Sequence, residues 1–339
     1  MKNIKVLGID LAKNVFQLHG TDERGKCVLR KRLNREQLGP FVANLTPCLI
    51  GIEASTGAHY FARLFESMGH TVKMMSPQFV KPYIKSNKND RNDACGIAEA
   101  VTRPNMRFVP IKKVEQQDIL LSHRARELAI RQRTAQANQL RGLLAEYGVI
   151  IPQGIVHLKK MVKILDDNQN KLTVKSREIF MRLYEQFKIY DTQVKTYDKE
   201  IEYSAKQNAN CREIMKIEGI GSLTASAVVA SIGDAKVFKN GREVAAWLGL
   251  VPRQHSSGNK IQLSGISKRG DRYVRTLLIH GARTVVKNCE KKTDKKSLWI
   301  TDKKLRCGYN KAAVALANKN ARVIWAMLAT GECYRQSIA

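Results

Sequence analysis

The sequence predicts a mixed α/β domain, then a helical coiled-coil arm, then a mainly helical C-terminal domain, with boundaries at residues 1–112, 113–209 and 210–339. Three observations carry this reading. Apolar runs of strand length, separated by turn residues, occupy the start of the chain, and the middle third is poor in Pro and Gly with heptad spacing. Near Cys211 the composition shifts again, toward small residues and glycine turns. At 339 residues the chain exceeds one typical domain, so two or three units with their own cores are expected.

Residues 4–9 (IKVLGI), 15–19 (VFQLH) and 27–33 (CVLRKRL) read as three strands, the second turn running from Thr21 to Gly25. A helical stretch follows, then a strand from Leu49 to Ile52, a helix from about Ala58 to Met68, a strand from Val72 to Met75, and a helix from about Asn92. Antiparallel strands leading into alternating helices and strands match a ribonuclease-H-like (RuvC-like) layout. Sugar kinases and actin-like ATPases share that topology but need a Gly-containing phosphate turn after the first Asp. Here Asp10 is followed by Leu11, Ala12, Lys13 and Asn14, so a nuclease-type metal site is the better reading.

Four acids stand in informative contexts: Asp10 in VLGID, Glu53 in LIGIEAST, and Asp90 and Asp93 in NDRNDACGIAEA. A carboxylate ending a buried strand is costly without a partner, and residues three apart share a face of a helical turn. Together the four can supply the hard oxygen ligands that Mg²⁺ or Mn²⁺ takes, with positions left for water and phosphate. Taken singly, each has an ordinary reading as a strand-end turn residue or a helix cap.

Lys and Arg number 59 against 30 Asp and Glu, a formal charge of +29. Self-repulsion of that size favours a polyanionic partner over a merely cationic protein. The seven cysteines are odd in number, scattered and never spaced CxxC, which excludes a zinc knuckle and a disulfide framework and points to a reduced, cytoplasmic setting. No run approaches a membrane span, and with MKNIKVLGID running straight into a strand neither a span nor a signal peptide is expected.

Within the arm, Phe180, Leu183, Phe187, Tyr190, Val194, Tyr197, Ile201 and Ser204 alternate by three and four, a seam suited to a homo-dimer or tetramer or to one helix of an intramolecular bundle. The preceding helix, Val114 to Tyr147, has a weaker seam of Leu121, Ala125, Leu128 and Ala135. Its arginines (Arg124, Arg126, Arg131, Arg133, Arg141) form a solvated or a phosphate-tracking face. Residues 217–234 (IEGIGSLTASAVVASIGD) read as a helix-hairpin-helix-like segment whose helix start can hold a phosphate.

Residues 247–275 combine serines with cations: Arg253, Lys260, Lys268, Arg269, Arg272 and Arg275 read as nucleic-acid contacts. Ser257 precedes Gly258 in a polar loop where its hydroxyl can be exposed; it serves either as an activated nucleophile or in turn chemistry.

The D-E-D-D set, followed by GLVPRQHSSG and GISKRGDRYVRTLLIHGAR, resembles the DEDD transposases of bacterial insertion sequences. The family is the insertion-sequence one-ten family, and HSSG with LLIHGAR is similar to its eleven-eleven branch, akin to the Piv and MooV DNA invertases. The resemblance implies a RuvC-like domain with metal-binding acids Asp10, Glu53, Asp90 and Asp93. It also implies that Ser257 is a nucleophile forming a phosphoserine link to DNA. Element-end and target DNA, a structured noncoding guide RNA from the element, a circular double-stranded intermediate and a nucleoid-associated setting follow from it as expectations. A Holliday-junction-type hydrolytic nuclease and a non-enzymatic nucleic-acid scaffold are the competing readings. The acids and the serine lie far apart in sequence, which allows them to come from different protomers.

Overall fold

The computed structural model describes residues 4–84, 90–258 and 260–335. The chain divides into two compact units, Met1–Val114 and Glu115–Ala339.

The first unit is built on a six-stranded sheet in the order β3-β2-β1-β4-β5-β6. Its strands are β1 (Val6–Asp10), β2 (Val15–Thr21), β3 (Cys27–Asn34), β4 (Leu49–Glu53), β5 (Thr71–Met75) and β6 (Phe108–Val109). β1, β2 and β3 pair antiparallel, whereas β4 and β5 continue parallel to β1 through helical crossovers. This matches the ribonuclease-H-like layout predicted from the strand spacing, with the two-residue edge strand β6 added. The turn between β2 and β3 closes on Asp22, whose Oδ1 accepts from Arg24 N and Lys26 N at 2.9 Å each. Helix α1 (Arg35–Ala43) starts with a reciprocal cap: Asn34 Oδ1 accepts from Gln37 N, and Gln37 Oε1 accepts from Asn34 N.

Strand alternation sorts the sheet's two faces. Leu7, Ile9, Ile50 and Ile52 pack with Leu38 and Val42 of α1 and with Ala58, Phe61, Ala62 and Phe65 of α2 (Ala58–Ser67). After the short helix α3 (Pro77–Val80), helix α4 (Asp90–Ala100) covers the other face. Val6 and Leu49 pack there against the cluster of Ile97, Ala100 and Val101. At the next inward-facing position of β1 and of β4 the residue is glycine, Gly8 and Gly51. A Cβ on Gly8 would lie 2.3 Å from the Ala94 carbonyl oxygen, and one on Gly51 would lie 2.9 Å from Val101 Cβ. The helix therefore rests on bare backbone.

In the second unit, α5 (Val114–Ala145) and α8 (Val174–Gln207) run antiparallel, joined through the short helices α6 (Ile155–Leu158) and α7 (Met161–Asp166). Arg133 pairs with Asp191 at 2.8 Å and Arg126 with Asp198 at 2.6 Å, while Ala137, Leu140 and Leu144 share a core with Phe180, Tyr184 and Phe187. Half of the predicted association seam is thereby consumed inside the chain. Phe180, Phe187, Val194 and Ile201 are buried, and Leu183, Tyr190 and Tyr197 are only partly covered. The weaker seam of α5 faces outward instead, with Leu121 66% and Leu128 49% exposed.

The rest of this unit comprises α9 (Ala209–Ile214), α10 (Ser222–Ile232), α11 (Gly241–Trp247), the hairpin β7 (Pro252–Ser257) and β8 (Lys260–Ile266), α12 (Arg272–Asn288), α13 (Lys295–Cys307) and α14 (Tyr309–Thr330). Its core is drawn mainly from α10, α12 and α14. The glycine turn before α10 serves that packing: Gly219, at φ +85°, lies so close to α12 that its Cβ would fall 2.7 Å from the Gly281 carbonyl oxygen. Among the described residues no helix is long and apolar enough to cross a membrane.

The bare seat under α4 gives the first prediction. Gly8→Ala forces a methyl against backbone and is expected to destabilise the protein by roughly 1–3 kcal/mol, as overpacking does. Gly39→Ala, inside α1 with nothing within 4 Å of the added carbon, should be neutral or stabilising by up to about 1 kcal/mol. Urea midpoints of the two variants check this contrast, and equal midpoints would refute it.

Candidate catalytic carboxylates and the serine hairpin

Asp10 and Glu53 are the last residues of adjacent parallel strands. The register pairs Gly8 with Gly51 and Ile9 with Ile52, so Asp10 and Glu53 occupy the next rung at the same sheet end. By alternation both share the face of Gly8 and Gly51, the face that α4 covers. Asp93 immediately precedes Ala94, which sits on Gly8, and is buried at 9% exposure where that helix meets the sheet. Both strand-end acids are partly exposed, so this end of the sheet is reachable by solvent. Asp90 is the first residue of α4, and its side chain lies outside the described residues. Among the described residues, no three His, Cys, Asp or Glu side chains are gathered closely enough to enclose a metal ion.

Ser257 ends β7 and pairs with Lys260 across the hairpin tip, where Gly258 takes a left-handed φ of +55°. Every residue from Pro252 to Ser257 is exposed, as is β8 up to Gly265. Alternation separates the two serines. Ser257 shares a face with His255, Lys260 and Gln262, whereas Ser256 lies opposite Ile261 and accepts a hydrogen bond from Gln254 Nε2 at 2.9 Å.

The ribbon is held at its base. A Cβ on Gly249 would lie 2.2 Å from the Arg269 carbonyl oxygen, and one on Gly270 would lie 1.8 Å from that of Trp247. Asp271 caps α12 by accepting from Tyr273 N and Val274 N. Arg253, Lys260, Lys268, Arg269 and Arg272 are exposed. Arg275 differs. It is buried, and its Nη1 donates to the carbonyls of Leu248 (2.9 Å) and Arg269 (3.1 Å), with burial lowering its pKa. Its guanidinium closes the base of the hairpin and is not offered to a phosphate.

Sequence reading missed a polar chain beside that base. His123 of α5 is 1% exposed; its Nδ1 lies 3.0 Å from the Tyr273 hydroxyl and its Nε2 lies 3.0 Å from Ser226 Oγ. Ser226 already donates to the Ser222 carbonyl at 2.8 Å. The remaining protons then run one way: Tyr273 donates to Nδ1, and the neutral imidazole donates from Nε2 to Ser226. Burial, reinforced by Arg126 and Arg124, lowers the His123 pKa to about 4. A lone histidine has no periodicity or motif, so nothing in the sequence marks it. The chain ties α5, α10 and α12 together at the foot of the serine hairpin.

Comparison with known proteins decides the family. Residues 211–297 match the model described as transposase IS116/IS110/IS902 family, and residues 7–149 match the DEDD transposase model of the IS110 type. The chain belongs to the IS110 family of transposases. It is 45% identical over 335 residues to the probable family 20 transposase of Pseudomonas aeruginosa, covering 98% of this chain and 99% of that one. It is 47% identical over 336 residues to the transposase for insertion sequence element IS1111A of Coxiella burnetii, covering 99% and 92%. The IS1328 transposase of Yersinia enterocolitica is 37% identical over 334 residues, covering 98% of this chain and 99% of that one. This transposase is therefore an enzyme of DNA cleavage and transfer, and its DEDD match, residues 7–149, takes in the sheet of the first unit and runs on into α5, consistent with a RuvC-like fold.

The His123 chain sets a pH dependence. The folded-state pKa near 4 lies below the ordinary 6.5, so the unfolded chain binds the extra proton between those values. Stability from this group is complete above pH 6.5 and falls as pH drops toward 4, by roughly 3 kcal/mol at most. His123→Gln should show a shallower loss in urea unfolding between pH 7 and 4.5 than the parent protein. Parallel curves for the two would refute the assignment.

Proposed function

We propose that this transposase cuts and rejoins DNA with Ser257 as nucleophile and with Asp10, Glu53, Asp90 and Asp93 as ligands of Mg²⁺ or Mn²⁺, guided by a structured RNA from its own element. The observation that carries the metal half is the convergence of Asp10, Glu53 and the N-terminal turn of α4 on one end of the sheet. An all-oxygen donor set fits a hard divalent cation. When bound, such a cation would polarise a scissile phosphate. The exposed tip of the β7–β8 hairpin supports the serine half, because a nucleophile must reach a phosphate in the backbone of a duplex. Ser257 shares its face with Lys260, whose ammonium can offset charge on the attacked phosphate.

In the proposed step, Ser257 Oγ loses its proton and attacks phosphorus, forming an Oγ–P bond while the bond to the 3′ oxygen breaks and that oxygen takes up a proton. Rejoining is the reverse attack of a 3′-hydroxyl on the phosphoserine, so no external energy is consumed. The charge of +29 and the exposed cations Arg253, Lys260, Lys268, Arg269 and Arg272 suit DNA and RNA phosphates. The amides at the start of α10, in the helix-hairpin-helix-like segment, give a further phosphate position. Assembly into a dimer or tetramer uses the outward residues of the arm, Leu121 and Leu128, since the buried half of the α8 seam is already engaged.

Two experiments test this reading. With guide RNA, Mg²⁺ and labelled DNA, Ser257→Ala should abolish both recombination and the covalent protein–DNA adduct, and Ser256→Ala should retain both at reduced level; Asp10→Asn or Glu53→Gln should slow cleavage by at least about 100-fold. Adduct mapped to Ser256 would overturn the assignment of Ser257, and free nicked ends without an adduct in the parent protein would return the chemistry to a hydrolytic nuclease. Light scattering on Leu121→Asp with Leu128→Asp should show a smaller oligomer, and an unchanged mass would remove the arm's outer face from assembly.

A further inference from the structure

A cleft of about 390 Å³ lies in the second unit between the start of α11 and the last turns of α14. It is lined by Asn240, Gly241, Arg242, Arg322, Trp325 and Ala326. Its walls are fixed by packing. Asn240 caps α11, its Oδ1 accepting from Arg242 N (3.0 Å) and Glu243 N (3.1 Å). Gly241 presses against α14 so closely that an added Cβ would lie 2.9 Å from Arg322 Cα. Trp325 is partly buried, and its Nε1 donates to the Ala235 carbonyl at 3.0 Å. That bond spends the only polar atom of the indole, so what remains for the cleft is flat aromatic carbon in a set orientation.

Arg322 stands three residues before Trp325, on the same face of α14, and Arg242 faces the cleft from the other wall. Both arginines are exposed, and among the described residues neither is ion-paired. Two unneutralised guanidiniums on either side of a fixed aromatic surface have a definite chemical complement. Guanidiniums bind phosphate oxygens through paired N–H donors, and an indole stacks on the face of a nucleobase. The volume suits one small ligand. A base inside a duplex hides its faces in the stack, so only an unpaired one can be taken.

We propose that this cleft binds a single unpaired nucleotide of RNA or DNA, with its base against Trp325 and its flanking phosphates on Arg242 and Arg322. The proposal stands apart from the metal and serine chemistry, since it needs none of those residues.

The test uses the full chain with short labelled oligonucleotides, single-stranded RNA, single-stranded DNA and a duplex of the same sequence, each binding followed by fluorescence anisotropy. Trp325→Leu should weaken single-strand binding about tenfold or more and leave duplex binding unchanged, in line with the loss of one base–aromatic stack. Trp325→Phe, which keeps a ring and guards against a folding defect, should retain most of the affinity. Arg242→Gln and Arg322→Gln should each weaken the single-strand complex and lower its salt slope by about 0.7. A single strand carrying 5-iodouracil should crosslink to the peptide containing Trp325. A larger effect with RNA or with DNA names the natural source, and an equal effect fits contacts to base and phosphate alone. Losses from the arginine variants with none from Trp325→Leu would reduce the cleft to an anion site and overturn the proposal; so would equal losses on duplex, or a crosslink that maps elsewhere.

Discussion

The seating of α4 on Gly8 and Gly51 is the constraint on which the first unit's candidate chemistry rests. A carboxylate set built from two strands and a helix requires the helix to approach the sheet closely, and a side chain at either of these two positions would hold it off. Each glycine lies two residues before an acid, so the residue that admits the helix and the residue that faces it share one side of one strand. Packing of the helix and placement of the proposed ligands are thus the same event. The apolar partners, Val6 and Leu49 below and Ile97 and Val101 above, supply the burial that holds the helix down.

The second unit solves a different problem, that of orienting a ribbon with no core of its own. Two-stranded hairpins are marginal in water, and here both faces of β7 and most of β8 are exposed. Order is imposed from below. Glycines at 249 and 270 let the chain ends touch backbone, Arg275 gathers two carbonyls, and the His123–Tyr273–Ser226 chain ties the root of the arm to the helix that follows the ribbon. Among these, Arg275 and His123 are buried polar groups whose hydrogen bonds offset the cost of their burial.

Much of this was legible in the sequence, and the failures have physical reasons. The first five strands were legible as short runs bounded by turn residues, with β1 and β4, buried and paired parallel, reading as nearly continuous apolar stretches, whereas β6, two residues long, has no pattern to detect. The acids were visible through their contexts. The glycines beside them were not, since their role depends on a helix that arrives much later in the chain, at Asp90. The heptad seam of α8 was real, but periodicity specifies an apolar stripe and not its occupant; α5 supplies that occupant through Arg126, Arg133 and an alanine and leucine face. Arg275 was grouped with its cationic neighbours because charge is a property of composition and burial is a property of the fold. Trp325 and Arg322 carry an i, i+3 relation that reads as nothing until Arg242 is brought opposite.

The exposed ribbon also bears on how such a protein can change. Because the hairpin's geometry is stored at its root, substitutions along its strands remove few buried contacts, and the folded state should tolerate them at little energetic cost. The root has no such latitude, since a methyl group at position 249 or 270 would collide with main chain. A lineage can therefore rewrite the surface that its ribbon presents while keeping the pivot unchanged, so that variation in what is touched is uncoupled from the cost of staying folded.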